Sequence, residues 1–273
     1  MTSSPLLLFA YSLRRVRTLV LTTGLLLAVF QAVMVAVARS IAKSGGFGAL
    51  IALLPPFVRE LLGPSLTSFM SFAGIACVGY FHLAVMGSFV GLTVALATMP
   101  ASEVETGFID LILSRPLARH WIITRTIALI VLSILLLLAM MMTGTWTALH
   151  LLASGVAEWP PLKLILRLAV NLGFLMLCWG GVALAIGSVS RRRGVAGAVS
   201  GLLALTSFFL DYVGRLWRPA ESIAWLSPFR YFTPFELIMG NPLPQKNLLV
   251  LGGIAAAGFI AAYVLFARRD IAR

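Results

Sequence analysis

Glu103, Glu105 and Asp110 stand close together in this chain, with Arg115 and Arg119 just beyond them. Three of the nine acidic residues therefore share one short island between two long apolar runs. No catalytic triad, paired-carboxylate site or metal-ligating His/Cys set accompanies them, so covalent chemistry is not their expected work. Charges of both signs at such a boundary act electrostatically: they dock something in the aqueous phase and pass force or information to it. Other candidate side chains have plainer readings. His82 falls in the middle of an apolar run and is expected either on a substrate pathway or, more simply, as a neutral imidazole hydrogen-bonded inside a bundle. Asp211 and Arg215, spaced i, i+4, read as an ion pair at the end of a span. Lys163 and Arg167 begin another span and can snorkel outward. Met140, Met141 and Met142 resemble a soft-metal set, but consecutive residues on a helix point different ways, which makes them packing residues. Cys77 and Cys178 have neither zinc nor disulfide spacing and also read as packing residues.

The elements that position the island follow from its own residues. Pro100 disfavours helix at the end of the preceding run. Ser102 with Glu105 has the spacing of a capping box, each side chain satisfying a backbone N–H of the other residue. Glu103 and Glu105 then lie at the positive end of a new helix and Arg115 at its negative end, with Pro116 closing it. Phe108, Ile109, Leu111, Ile112 and Leu113 supply an apolar face. The expectation is one capped helix over 102–116, about three turns long. Gly107 is discordant, costing roughly 1 kcal/mol against alanine, and close approach of another backbone would account for it.

Composition sets the surroundings. Of 273 residues, 60% are hydrophobic and 11% charged, and mean hydropathy is +1.00. That balance excludes an ordinary soluble domain and predicts an all-α integral membrane protein, with the whole chain, 1–273, a single transmembrane domain. Six spans are expected, at about 18–38, 69–98, 121–149, 162–189, 194–212 and 248–267. Pro5–Arg17 reads as a separate interfacial helix on the inner leaflet rather than a secretory signal. Leu54–Gly63 reads as a short amphipathic helix at the outer surface. Glycines 74, 79, 87 and 91 in the second span allow either close helix approach or a kink. Aromatic residues of 217–247 fit an outer interfacial belt. The net charge of +12 is scattered over span ends, which argues for topology rather than nucleic-acid binding. Twelve of the 21 bases fall on the side that holds both termini, the island and Arg191–Arg193. The positive-inside rule makes that side cytoplasmic, with the chain a multi-pass protein of the inner (plasma) membrane.

The stretch Glu103-Val104-Glu105-Thr106-Gly107-Phe108-Ile109-Asp110-Leu111-Ile112-Leu113-Ser114-Arg115-Pro116-Leu117-Ala118-Arg119 resembles the cytoplasmic signature of ABC-2 type transporter permeases. Leu226-Ser227-Pro228-Phe229-Arg230-Tyr231-Phe232-Thr233-Pro234-Phe235 is similar to that family's outer motif before the last span. Phe108, where threonine or serine is common, and Arg125, where lysine is common, depart from the pattern while keeping its local character. The resemblance extends over essentially the whole chain. It implies an exporter-type fold of six spans with an interfacial helix and a cytoplasmic coupling helix between spans two and three. The coupling helix would dock into a separate ATP-binding subunit through Ser102, Glu103, Glu105, Gly107, Phe108, Asp110, Leu111, Ile112, Arg115, Pro116 and Arg119. Glu103, Glu105 and Asp110 would face bases there, with Phe108, Leu111 and Ile112 as the packing knob. The chain carries no G-x-x-x-x-G-K-[ST] phosphate loop, so ATP and magnesium belong on the partner, expected in two copies, and this chain is not itself an enzyme. A second permease subunit, identical or similar, is also implied, with substrate passing between the two along the first, second and fifth spans.

Two other classes compete. A secondary transporter or channel needs no ATPase, but no carboxylate lies mid-span and no internal repeat is evident. A membrane anchoring or assembly protein could use the same island merely to recruit a partner.

Overall fold

The computed structural model describes residues 5–46, 69–113, 118–156 and 159–269. The Leu54–Gly63 segment lies outside the described residues. Among them the chain is helical and without strands, and six helical stretches are long and apolar enough to cross a membrane. In chain order the helices are α1 (Pro5–Lys43), α2 (Phe72–Ala76), α3 (Leu83–Ala97), α4 (Met99–Glu105), α5 (Phe108–Leu113) and α6 (His120–Leu152). There follow α7 (Leu162–Val189), α8 (Arg193–Leu216), α9 (Arg218–Ala224), α10 (Pro234–Ile238) and α11 (Gln245–Ala267).

The first element corrects an expectation. No break separates an interfacial helix from the first span: α1 is one helix of 39 residues. Arginine is a good helix former, so Arg14, Arg15 and Arg17 mark a membrane boundary without interrupting the backbone. At about 1.5 Å per residue α1 is nearly twice the ~30 Å hydrocarbon thickness, and its first turns extend past the bundle beside the island. The second span is broken instead. Ser71 Oγ accepts from Gly74 N at 3.0 Å to start α2, a 3-10 turn covers Val78–Tyr80, and His82 Nδ1 accepts from Ala84 N at 3.2 Å to start α3. Tyr80 hydroxyl, bonded to Thr145 Oγ1 of α6 at 3.1 Å, anchors the break. Both readings of the glycines have a place here: the span kinks, Gly79 lies so close to the Gln31 side chain of α1 that a Cβ would collide with it, and Gly87 and Gly91 face open space.

The core is built around α7, whose apolar stretch is 67% buried against 22% for α8. It packs on α11, α3, α6 and α8, while α1 lies along α6. Burial from water drives helices into lipid but does not drive them together there, so close packing must do so. The α7–α11 crossing meets that need with small residues: a Cβ on Gly181 would stand 2.5 Å from the Ala255 carbonyl oxygen, and one on Gly258 would collide with Gly181. The two cysteines are free and buried, as packing residues should be. Met141 is buried and its neighbours turn partly outward.

At the end of the bundle away from the island, Asp211 and Arg215 form the expected pair, Nε to Oδ2 at 2.9 Å. The aromatic residues there do not all form a surface belt. Trp225 and Phe235 are exposed, but Phe229 and Phe232 are buried. Ser227 Oγ donates to the Ser207 carbonyl at 2.7 Å and accepts from Phe229 N at 3.2 Å, which folds the segment back against α8.

Candidate functional site: the charged end of the bundle

The island is two short helices rather than one. Pro100 occupies the first turn of α4, where its missing N–H leaves nothing unsatisfied, so the helix starts before the proline and not after it. Ser102 consequently sits inside α4, its own N–H donating to Thr98 O at 3.2 Å, and the expected capping box does not form. Gly107 has φ +71° and its N–H donates to Val104 O at 3.2 Å, closing α4 with a left-handed turn. That conformation, which Cβ sterics disfavour, accounts for the glycine in place of the expected backbone approach.

Released from capping, the carboxylates go elsewhere. Glu103 is 2% exposed. Arg125 Nη2 of α6 lies 2.8 Å from both its Oε1 and its Oε2. Glu103 thus faces a base of its own chain, not one left open for another protein. Arg125 Nε and Nη1 have no partner among the described residues. Such a pair is dear to break: removing one member leaves a buried charge uncompensated, at about 3–5 kcal/mol.

Glu105 remains exposed, and its Oε2 accepts from the backbone N–H of Arg193 at 2.8 Å. Arg193 is the first residue of α8, so a carboxylate 88 positions earlier caps that helix at its positive end. In return Arg193 Nη2 donates to Ala95 O, at 3.3 Å, in the last turn of α3. Arg269 repeats the device at the C-terminus of α7, Nη1 donating to Ser188 O and Nη2 to Ser190 O, each at 3.0 Å. Arg119 Nη1 donates to Arg269 O at 3.1 Å. Partial burial first, and the like charge of Arg191 second, lower the Arg269 pKa below its ordinary value. Helix ends on this face are therefore closed by charges from other elements, with the part-buried Arg269 contacts shielded better from water than the exposed ones of Glu105 and Arg193.

The second helix of the island rests on α1. The Phe108 and Tyr11 rings lie 6.2 Å apart. A cleft of about 340 Å³ between them is lined by Arg15, Thr106, Gly107 and Leu111 as well. Ser102 borders a smaller cleft, about 180 Å³, with Arg15 and Arg193. Phe108 is thus half-buried against its own chain, whereas Leu111 is 66% exposed. Arg115 and Pro116 lie outside the described residues, as do the side chains of Asp110 and Ile112. His82 is not inside the bundle. It caps α3 from an exposed position at the kink, 5.0 Å from the Phe30 ring, and about 22 Å of helix separates it from the charged end.

Sequence reasoning missed Arg125 as the partner of Glu103 and the capping roles of Arg193 and Arg269. Arg125 carried a usable signal: a base more than one turn inside an apolar run needs a nearby acid. Among the described residues no group of His, Cys, Asp and Glu is disposed to hold a metal ion. No protein-family model matches the chain, and no curated protein matches it either.

Proposed function

We propose that this chain is the membrane-spanning subunit of an ATP-binding cassette transporter of the ABC-2 type, an exporter whose ATP hydrolysis is carried out by a separate subunit. The observation that carries the reading is the mounting of the island. Through Glu103–Arg125 and Glu105–Arg193 the first island helix, α4, is bolted to α6 and α8; α4 also packs on α3 and α7, and α5 joins the bundle through α4. A push on α5 is then delivered to several spans as a rigid-body displacement. A loop held only by its ends would absorb the push. The chain has no phosphate loop of its own, which fits a division of labour with an ATPase that binds ATP and magnesium.

In this reading the arginine-rich end is cytoplasmic, both termini lie there, and the membrane is the inner (plasma) membrane. Glu105, Asp110, Leu111, Ile112, Arg115 and Arg119 belong to the docking face, while Glu103 acts as the internal bolt. Pairing with a second permease is supported by α8, which is 22% buried in this chain. Its Gly194, Gly197 and Gly201 face open space, as do Gly87 and Gly91 of α3. Small residues on an uncovered lipid-facing surface suit helix–helix contact.

Glu105→Lys tests the reading. It replaces the exposed docking charge and should cut co-purification of the ATPase from mild detergent at least about tenfold, the equivalent of 1.4 kcal/mol, with membrane insertion intact. Normal recovery of an ATPase with this variant would count against the docking role.

A further inference from the structure

At the end of the bundle opposite the island, a cavity of about 350 Å³ opens between α8, the folded-back segment before α11 and the kink that precedes α3. Two aromatic groups wall it. On one side Phe81 and Phe235 have ring centroids 5.2 Å apart. On the other Phe208 and Phe229 meet edge to face at 5.5 Å. Between these walls the lining includes Asp211. Asp211 is 8% exposed, and while its Oδ2 takes Arg215 Nε at 2.9 Å, its Oδ1 has no partner among the described residues. The Thr233 hydroxyl, also at the cavity, is likewise buried without one. Buried acceptors left unmet are uncommon and call for a donor or a cation.

The charge of the lining points the same way. The chain holds 21 bases and 9 acids, yet this cavity carries two acids, Asp211 and Glu236, and one base, Arg215. The side chain of Arg215 is 46% exposed, so its charge is partly spread into the surroundings while Asp211 lies beneath. Aromatic faces present negative charge to a cation within about 6 Å, and the attraction strengthens on desolvation. The volume lies in the range of small-molecule sites, about 300–1,000 Å³.

We infer that this cavity binds a lipophilic organic cation of the quaternary ammonium or phosphonium kind, held by the phenylalanine walls and by Asp211. The inference rests on the proposed transporter function only in making such a cation the cargo; the binding itself needs no ATPase. The same positive headgroup is offered by a free cation and by a choline lipid.

The test uses the purified full-length chain without any partner. Tetraphenylphosphonium binding is measured by equilibrium dialysis in detergent, with tetraphenylborate as the anion of the same shape. Saturable binding of the cation is expected, with the anion at least about tenfold weaker, a 1.4 kcal/mol discrimination. Asp211→Asn should weaken the cation about tenfold, and Phe235→Leu about two- to fivefold, the size of one cation–π contact. Equal binding of cation and anion by the wild-type chain would overturn the inference, and so would wild-type affinity in a folded Asp211→Asn. The comparison of the two ions needs no variant, so a misfolded Asp211→Asn leaves the inference exposed to refutation. In nanodiscs corrected for empty discs, loss of probe binding in phosphatidylcholine relative to phosphatidylglycerol assigns the site to a lipid headgroup. Equal binding in both lipids assigns it to a free cation. Cation binding by the isolated chain, with no ATPase recovered alongside the wild-type chain from native membranes in mild detergent, would sink the transporter reading and leave the site standing.

Discussion

Glu103 and Arg125 are the residues on which the charged end turns. Both are almost fully buried, and Arg125 offers a single nitrogen to both carboxylate oxygens. Glu103→Gln removes the negative charge and strands the guanidinium, so it should destabilise the protein by about 3 kcal/mol in thermal or denaturant unfolding in detergent. Arg125→Met should do similar damage. The double variant Glu103→Leu with Arg125→Met buries no charge and should recover most of the loss; equal instability of single and double variants would show that the pair is not the cause. This pair was hard to read from the residues alone, because its members are 22 positions apart and meet only after two helices and a turn. Asp211 and Arg215 were legible because helical geometry brings i and i+4 together by itself. His82 was misjudged for a related reason. Its apolar neighbours announced a span, but not that the span would break at that residue and make its imidazole a helix cap.

At the scale of elements, the positions of the spans were open to sequence reasoning because hydropathy is a property of a whole window. Helix starts and stops were less so, since they depend on single residues with two permitted roles. Pro100 can follow a helix end or occupy a first turn, and taking the second role left Ser102 and Glu105 without a capping box. The arginines of α1 likewise mark a boundary in the lipid without ending the helix. Gly107 is the joint between the two island helices, with φ +71°. Gly107→Ala places a Cβ in the left-handed region at about 1–2 kcal/mol. Amide exchange across Phe108–Leu113 should therefore quicken about tenfold, while the Glu105 cap of α8 and the spans stay protected. Unchanged exchange in α5 would mean that Gly107 is not what holds its direction.

For the whole molecule, the arrangement is a bundle centred on α7 with chemically distinct ends. One end gathers arginines and closes the termini of its helices with charge from neighbouring elements. The other has an aromatic cavity of opposite character. A transporter moving organic cations outward under cytoplasmic ATP hydrolysis would have use for both, one end to receive force and the other to release cargo. The proposed docking of the island on an ATPase is open to a direct test. A photo-crosslinking amino acid in place of Leu111, which is 66% exposed on α5, tests it in the native cell membrane without disturbing either bolt. Irradiation is predicted to yield a covalent adduct with a protein that carries a phosphate-loop sequence, identified by mass spectrometry. An efficient crosslinker at that position that captures only lipid, or a protein without a nucleotide site, would contradict the account.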